Sequence, residues 1–161
     1  MRYAGIIKDD INNGRGVGLT LFTQGCPHHC KGCHNPETWN FNSGKLFTNE
    51  TFNEIIEYFR THLYATRFTL SGGDPLCSGA EITELCKRIK EMRPEVSIWA
   101  YTGFIYKNII NSDLLPYIDV LVDGPFILEQ RDVTLQFRGS SNQRIIDLNK
   151  TRELNEIVLW R

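Results

Sequence analysis

The sequence predicts an α/β fold in which parallel strands alternate with helices and form an open, partial (β/α) barrel. Two observations carry this prediction. Short apolar runs rich in β-branched residues recur along the chain, and amphipathic stretches at helical period separate them. Such alternation implies parallel strands joined by right-handed crossovers. About four to six units of this kind are too few for a closed eight-stranded barrel, so we expect an open one in a single domain over residues 1–161.

The first half of the chain supplies two strands and one helix. Residues 1–16 are expected to form a lead-in that ends in a turn, and residues 17–22 form the first predicted strand. After a polar loop, the capping-box spacing of Thr51 and Glu54 predicts the start of a helix with one apolar face. Residues 67–70 are the second predicted strand.

The second half continues the alternation. Ser78 and Glu81 form another predicted capping box, and Pro94 marks the end of the helix that follows. The remaining elements are predicted strands at residues 96–101, 119–123, 145–147 and 157–160, and a short helix at 106–110.

Composition excludes several classes of function. The net charge of -1 argues against a nucleic-acid-binding protein, which needs a basic face. Residues 1–10 lack the apolar run of a signal peptide, and no later stretch reaches the length of a membrane span, so we expect a cytoplasmic protein. Five cysteines, three of them in one short loop, suit a metal site better than a disulfide framework.

That loop carries the strongest chemical signal in the chain. Cys26, Cys30 and Cys33 have the spacing Cys-x3-Cys-x2-Cys, one thiolate short of a closed structural zinc site or an ordinary four-iron cluster. One interpretation is a Cys3His zinc site; the other is a [4Fe-4S] cluster with one open iron position. The candidates for a fourth zinc ligand are His28, His29 and His34.

A second motif follows the second predicted strand. Gly72 and Gly73 precede Asp74 and Pro75, and consecutive glycines let a backbone approach a ligand closely. Taken alone, this pattern is more often a plain strand-to-helix turn. Thr102 and Asp123 end two later strands and are therefore expected on the same rim, although Asp before Gly is also a common turn-capping residue.

Together these motifs resemble the radical S-adenosylmethionine (radical SAM) superfamily. Within it, the loop GCPHHCKGCHNPETW is similar to the activating proteins of anaerobic ribonucleoside-triphosphate reductase. Gly32 replaces the aromatic residue usual before the third cysteine in the wider superfamily, as is typical of that subfamily. The other stretches that carry the resemblance are SGGDPL (71–76), WAYTG (99–103), DVLVDGPF (119–126) and FRGSSNQR (137–144).

The resemblance implies an activity. One [4Fe-4S] cluster per chain would be held by Cys26, Cys30 and Cys33, and SAM would occupy the open iron. An electron from flavodoxin or a similar donor would then cleave SAM to a 5′-deoxyadenosyl radical, which generates a glycyl radical on the reductase. No catalytic side chain is required beyond the cluster and the cofactor. The implied cofactor-binding residues are Gly32, Cys33, His34, Gly72, Gly73, Asp74, Thr102, Asp123, Ser140 and Asn142.

Two alternatives stay open on the sequence. An activator of another glycyl-radical enzyme, such as pyruvate formate-lyase, would share the same motifs, although those chains are generally longer and residues 137–144 favour the reductase. A non-catalytic zinc-binding module would explain the cysteines but not the glycine turn. His34 could contact adenine or could be only part of a polar loop.

Overall fold

A mixed seven-stranded sheet is the centre of the fold. The computed structural model describes all residues 1–161 and contains three α-helices besides the sheet. The strands are β1 (Arg2–Asp10), β2 (Gly18–Thr23), β3 (Lys45–Leu46), β4 (Arg67–Gly72), β5 (Ser97–Tyr101), β6 (Val120–Asp123) and β7 (Arg144–Asp147). The helices are α1 (Asn49–Thr61), α2 (Ala80–Met92) and α3 (Leu148–Leu154). The strand order in the sheet is β3-β1-β2-β4-β5-β6-β7.

The prediction of parallel strands is confirmed for the middle of the sheet and wrong for its sides. β2, β4, β5 and β6 are parallel to one another, whereas β1, β3 and β7 pair antiparallel with their neighbours. The reason is the connections. β4 and β5 follow helices that serve as crossovers, but β1 reaches β2 through a short turn, which suits an antiparallel pair.

β1 itself lies where the sequence predicted a lead-in that ends in a turn. Most of its residues are only partly buried, because it lies near an edge of the sheet, where β3 covers just Arg2 and Tyr3. An edge strand of this kind lacks the clear apolar alternation that marks a half-buried strand. The prediction for residues 1–16 is therefore wrong up to Asp10.

The helix starts also differ from prediction. The Thr48 side chain accepts from the Thr51 backbone N–H at 3.3 Å, so the capping box of α1 begins at Thr48. Thr51 is thus the third helical residue rather than the cap. α2 starts after Gly79 without a side-chain cap, so the box predicted at Ser78 is not formed.

Three smaller differences lie toward the carboxyl end. The helix predicted at 106–110 is a 3-10 turn, Tyr106–Asn108. α3 was not predicted; it is short, and Asp147 caps it by accepting from the Lys150 N–H at 3.0 Å. The strand predicted at 157–160 is reduced to an isolated bridge between Ile146 and Leu159.

The two faces of the sheet differ in chemistry. Helices α1 and α2 pack on one face, where Ile55, Phe59 and Leu85 join alternate strand residues such as Phe68 in the main apolar core. The other alternate residues form a second row in which Thr20 pairs with Thr69, and Thr69 with Trp99, all of them buried. None of the helices has the length and apolar character needed to cross a membrane.

A buried arginine ties the turn after β1 to this second face. Arg67 is fully buried, and its Nη2 lies 3.1 Å from Oδ2 of Asp10. Arg67 Nη1 also donates to the carbonyl oxygens of Gly14 and Gly16 at 2.8 and 2.7 Å. Since a buried charge is tolerated only when it is paired and hydrogen-bonded, these contacts fix the turn against the sheet.

We expect Arg67→Ala to lower the free energy of unfolding by about 3–5 kcal/mol, because it leaves Asp10 buried without its partner. Urea denaturation measures the change. Arg88→Ala is the control, since Arg88 lies exposed on α2. Equal stability of the two variants would contradict this account of the pair.

Candidate functional site

A cavity of about 480 Å³ lies where the parallel strands end. Phe22, Gly72 and Tyr101, at the carboxyl ends of β2, β4 and β5, contribute to its wall. All three cysteines of the predicted site, Cys26, Cys30 and Cys33, line the same cavity. The carboxyl ends of parallel strands are where α/β proteins usually bind ligands.

Backbone hydrogen bonds close the cysteine loop at its base. The N–H of Gly25 donates to the carbonyl of Thr38 at 2.7 Å, and that of Cys26 donates to the carbonyl of Trp39 at 3.1 Å. Gly25 has a φ of +108°, which favours glycine and turns the chain out of β2 into the loop. These bonds hold the first and last residues of the loop together next to the carboxyl end of β2.

The three thiols are neither fully buried nor fully exposed. Burial raises the pKa of the Cys26 thiol, although the backbone N–H groups of His28 and His29 act in the opposite direction. The Sγ of Cys33 accepts from the Asn35 N–H at 3.4 Å. No group of three or more His, Cys, Asp or Glu side chains converges closely enough to hold a single metal ion.

The glycine turn packs directly on the cysteine loop. The N–H of Gly73 donates to the carbonyl of Thr23 at 2.8 Å, and the N–H of Asp74 donates to that of Gly25 at 2.9 Å. A Cβ at Gly73 would overlap the Gly25 carbonyl oxygen and lie 2.9 Å from its carbonyl carbon. Gly72 has a φ of +88°. The structure thus brings the two predicted motifs into contact at a place where no side chain fits.

Asp74 lines the cavity, but its carboxylate is occupied by contacts within the protein. Only 1% of the residue is exposed. Oδ2 lies 2.6 Å from His28 Nε2 and accepts from Thr102 Oγ1 at 2.8 Å and from the Gly103 N–H at 3.0 Å. Oδ1 accepts from the Leu76 N–H at 3.0 Å. The residue predicted as a cofactor contact therefore joins three segments of the wall.

Two further predicted residues lie on the cavity and one does not. Thr102 is buried and lines the cavity while it donates to Asp74. His34 also lines it, with its ring centroid 5.9 Å from that of Phe126. Gly32 is not among the lining residues; its φ is +79°, and a Cβ there would lie 2.8 Å from the Leu128 side chain.

Asp123, Ser140 and Asn142 do not line the cavity either. Asp123 is buried and binds the Arg144 guanidinium at 2.6 and 3.0 Å. The Ser140 hydroxyl accepts from the Ile127 N–H at 3.2 Å, and the Asn142 side chain donates to the Pro125 carbonyl at 2.7 Å. These three residues therefore bind segments next to the cavity wall and do not line the cavity themselves.

Several lining residues were not predicted. His28 lay within the recognised loop, and Tyr101 lay next to Thr102 in a recognised stretch, so position alone could have indicated both. Burial raises the pKa of the Tyr101 phenol, which stays neutral. Phe126, Phe137, Arg138 and Gln143 also lie in recognised stretches, at 119–126 and 137–144, although none of them was named as a cofactor contact. No local signal marks Asn12 and Asn13, which the turn after β1 brings to the cavity.

Comparison with known proteins finds one matching family model and several relatives that share a single name. A family model described as a 4Fe-4S single cluster domain matches residues 12–146. A protein of Vibrio cholerae is 43% identical over 150 residues, which are 90% of this chain and 97% of that protein. A protein of enterobacteria phage T4 is 39% identical over 147 residues (90% and 93%), and one of Escherichia coli K12 is 40% identical over 148 residues (89% and 96%). All three relatives bear the name anaerobic ribonucleoside-triphosphate reductase-activating protein.

Proposed function

This chain belongs to the family of anaerobic ribonucleoside-triphosphate reductase-activating proteins, and from that premise we propose that it is a radical SAM activase of the class III reductase. One observation carries the proposal. The three thiols of the cysteine loop and the backbone of the Gly72–Gly73 turn face a single cavity. A metal centre and a cofactor bound there would be in contact with each other.

The donor set suits an iron–sulfur cluster bound by three thiolates. Cys26, Cys30 and Cys33 are partly exposed at the cavity, so their sulfur atoms are accessible to a cluster. The other two cysteines are not on this cavity, and Cys86 is buried in the core. A bound cluster would supply one electron, received from an external donor, for the reductive cleavage of SAM to methionine and a 5′-deoxyadenosyl radical. That radical would take a hydrogen atom from a glycine of the reductase, which leaves 5′-deoxyadenosine and a glycyl radical.

The chain's own residues would bind and orient SAM beside the cluster. We assign its methionine end to the Gly72–Gly73 turn, because both glycines line the cavity next to the cysteine loop. Thr102 and Asp74 hold this turn in place. His34, whose ring lies against Phe126, would pack on the adenine.

In this proposal the other predicted residues act indirectly, because they hold parts of the cavity wall in place. Ser140 and Asn142 hold the backbone at Ile127 and Pro125, on either side of Phe126, which lines the cavity. Asp123 accepts from the Tyr106 N–H at 2.8 Å and so fixes the segment after β5 to the end of β6. Gly32 gives the cysteine loop its left-handed turn before Cys33.

The domain, the cellular location and the partners of the protein are part of the same proposal. Residues 1–161 would form a single radical SAM domain with an open, partial barrel, which the four parallel strands and the cavity at their carboxyl ends support. The protein would act in the cytoplasm as an oxidoreductase. Its partners would be the anaerobic reductase, as protein substrate, and flavodoxin or a similar one-electron donor.

Metal analysis and electron paramagnetic resonance (EPR) test the proposal together. Protein purified without oxygen should contain about four irons and four sulfides per chain and show a broad brown absorption. With SAM, a reductant and the class III reductase, it should generate a glycyl radical on the reductase, and a parallel sample with pyruvate formate-lyase should give none.

Three results would contradict the proposal in different ways. One zinc per chain in a colourless protein would indicate a structural zinc module. About eight irons would exclude a single cluster. A radical formed on pyruvate formate-lyase alone would transfer the activity to another glycyl-radical enzyme.

A further inference from the structure

The side chain of His28 connects the cysteine loop to two other segments of the cavity wall, the glycine turn and the backbone after β5. Its Nε2 lies 2.6 Å from Oδ2 of Asp74, in the glycine turn, and 17% of the side chain is exposed. Its ring also packs on the backbone after β5, since a Cβ at Gly103 would lie only 2.5 to 2.7 Å from three of the ring atoms. The Phe104 ring meets it edge-on at 4.5 Å.

The neighbouring histidine makes no such connection. His29 is exposed and stacks on Trp39, with the ring centroids 4.7 Å apart and the planes 14° from parallel. Trp39 is the last residue of the same loop, so this contact stays within the loop. The loop therefore holds two adjacent histidines, of which only His28 reaches the glycine turn.

The contact with His28 matters because it supplies one of the hydrogen-bond donors that the Asp74 carboxylate needs. This carboxylate is almost completely buried, and a buried carboxylate requires hydrogen-bond donors on both oxygens. The donors come from His28, from Thr102 with Gly103, and from Leu76 within its own turn. Without His28, Oδ2 would be held only from the side of β5.

Asp74 also directly follows Gly73, whose backbone has no free space against the cysteine loop. A displacement of Asp74 would therefore move Gly73 relative to Gly25 and to the thiols that follow. Because the packing is close, a shift of the Asp74 side chain would also shift the backbone of the glycine turn, which the proposed function assigns to SAM.

We propose that His28 is a positioning residue, which acts through Asp74 to fix the Gly72–Gly73 turn against the cysteine loop. It sets the separation between the methionine end of SAM and the open iron of the cluster. This inference rests on the proposed function, because it assigns the turn to SAM. It does not depend on the protonation of His28, since a neutral imidazole can also donate from Nε2.

The test compares SAM binding in variants of the cluster-loaded protein, measured by calorimetry and by the EPR spectrum of the reduced cluster. His28→Ala should keep about four irons but raise the dissociation constant for SAM about tenfold or more, the effect expected when a hydrogen bond to a buried carboxylate is lost. His28→Gln, which retains an N–H donor, should recover much of the affinity. The EPR change that SAM causes should follow the same order.

His29→Asn is the matched control, since asparagine tolerates the φ of +50° at this position, and it should bind SAM within about twofold of the wild type, a change within the usual size of surface effects. A double-mutant cycle with Asp74→Asn tests the route of the effect. If His28 acts through Asp74, His28→Ala should add little in the Asp74→Asn background, because interacting residues are not additive.

Several outcomes would overturn the inference. These are wild-type SAM affinity in His28→Ala, additive effects in the cycle, or loss of iron from His28→Ala alone. If His28→Ala failed to fold, unchanged SAM binding by Asp74→Asn would overturn it as well. A wild-type protein that carries the cluster but binds no SAM would instead refute the proposed function, so the two failures are distinguishable.

Discussion

Replacing Cys30 with alanine is expected to abolish cluster binding and to lower the iron content from about four atoms per chain to below one. The reason is that the site offers three thiolates and no substitute. Of the two remaining cysteines, Cys86 is fully buried between α2 and the sheet, and Cys77 does not line the cavity. Iron and sulfide analysis with an absorption spectrum, on protein purified without oxygen, measures the loss.

Cys77→Ala is the control for this experiment. Cys77 is an exposed thiol close in sequence to the glycine turn, so it tests whether the effect belongs to the loop or to any nearby cysteine. Its iron content should equal that of the wild type. A full complement of iron in Cys30→Ala, or its loss in Cys77→Ala, would show that the ligand set has been assigned incorrectly.

The second large effect is expected from Gly73→Ala. The new methyl group would collide with the carbonyl group of Gly25, a backbone group that cannot rotate away, and the methyl group itself has a fixed position on its Cα. The turn and the cysteine loop must therefore separate. Because misplacement of about 1 Å can cost roughly a hundredfold in rate, we expect SAM cleavage to fall about that much. Formation of 5′-deoxyadenosine, normalised to iron content, measures it.

Gly5→Ala is the control, because it adds the same methyl group at a position that has room for it. Gly5 lies in β1, and a Cβ there meets nothing within 4 Å. This variant should cleave SAM at the wild-type rate. If Gly73→Ala also did so, the close approach of the two motifs would have no functional meaning.

Local patterns in the sequence predicted the parts of the fold that depend on neighbouring residues. The four strands at the centre of the sheet are short and apolar, and the turn residues that follow them mark where they end. The cysteine loop and the glycine turn were recognisable because each motif is contained in a few consecutive residues. The rim on which they meet followed from the rule that parallel strands end on one side.

What was missed depends on contacts between distant segments. Arg67 belongs to a strand correctly predicted as buried, yet its partner Asp10 lies 57 residues away, in a strand without a clear pattern. The partners of Asp74 were not predicted, because the sequence does not show that the fold brings His28 and Thr102 to its carboxylate. Phe126 lines the cavity, and Ser140 and Asn142, which come later in the chain, bind the backbone of its two neighbours.

The segments that meet at Asp74 have a consequence for folding kinetics. His28 and Thr102 lie 46 and 28 residues from Asp74 along the chain, and the closure of such loops is a slow, entropically unfavourable event. We therefore expect the contacts of Asp74 to be completed only once β5 has docked beside β4. Competence to accept a cluster should thus arise late in refolding, after most of the helical signal has returned.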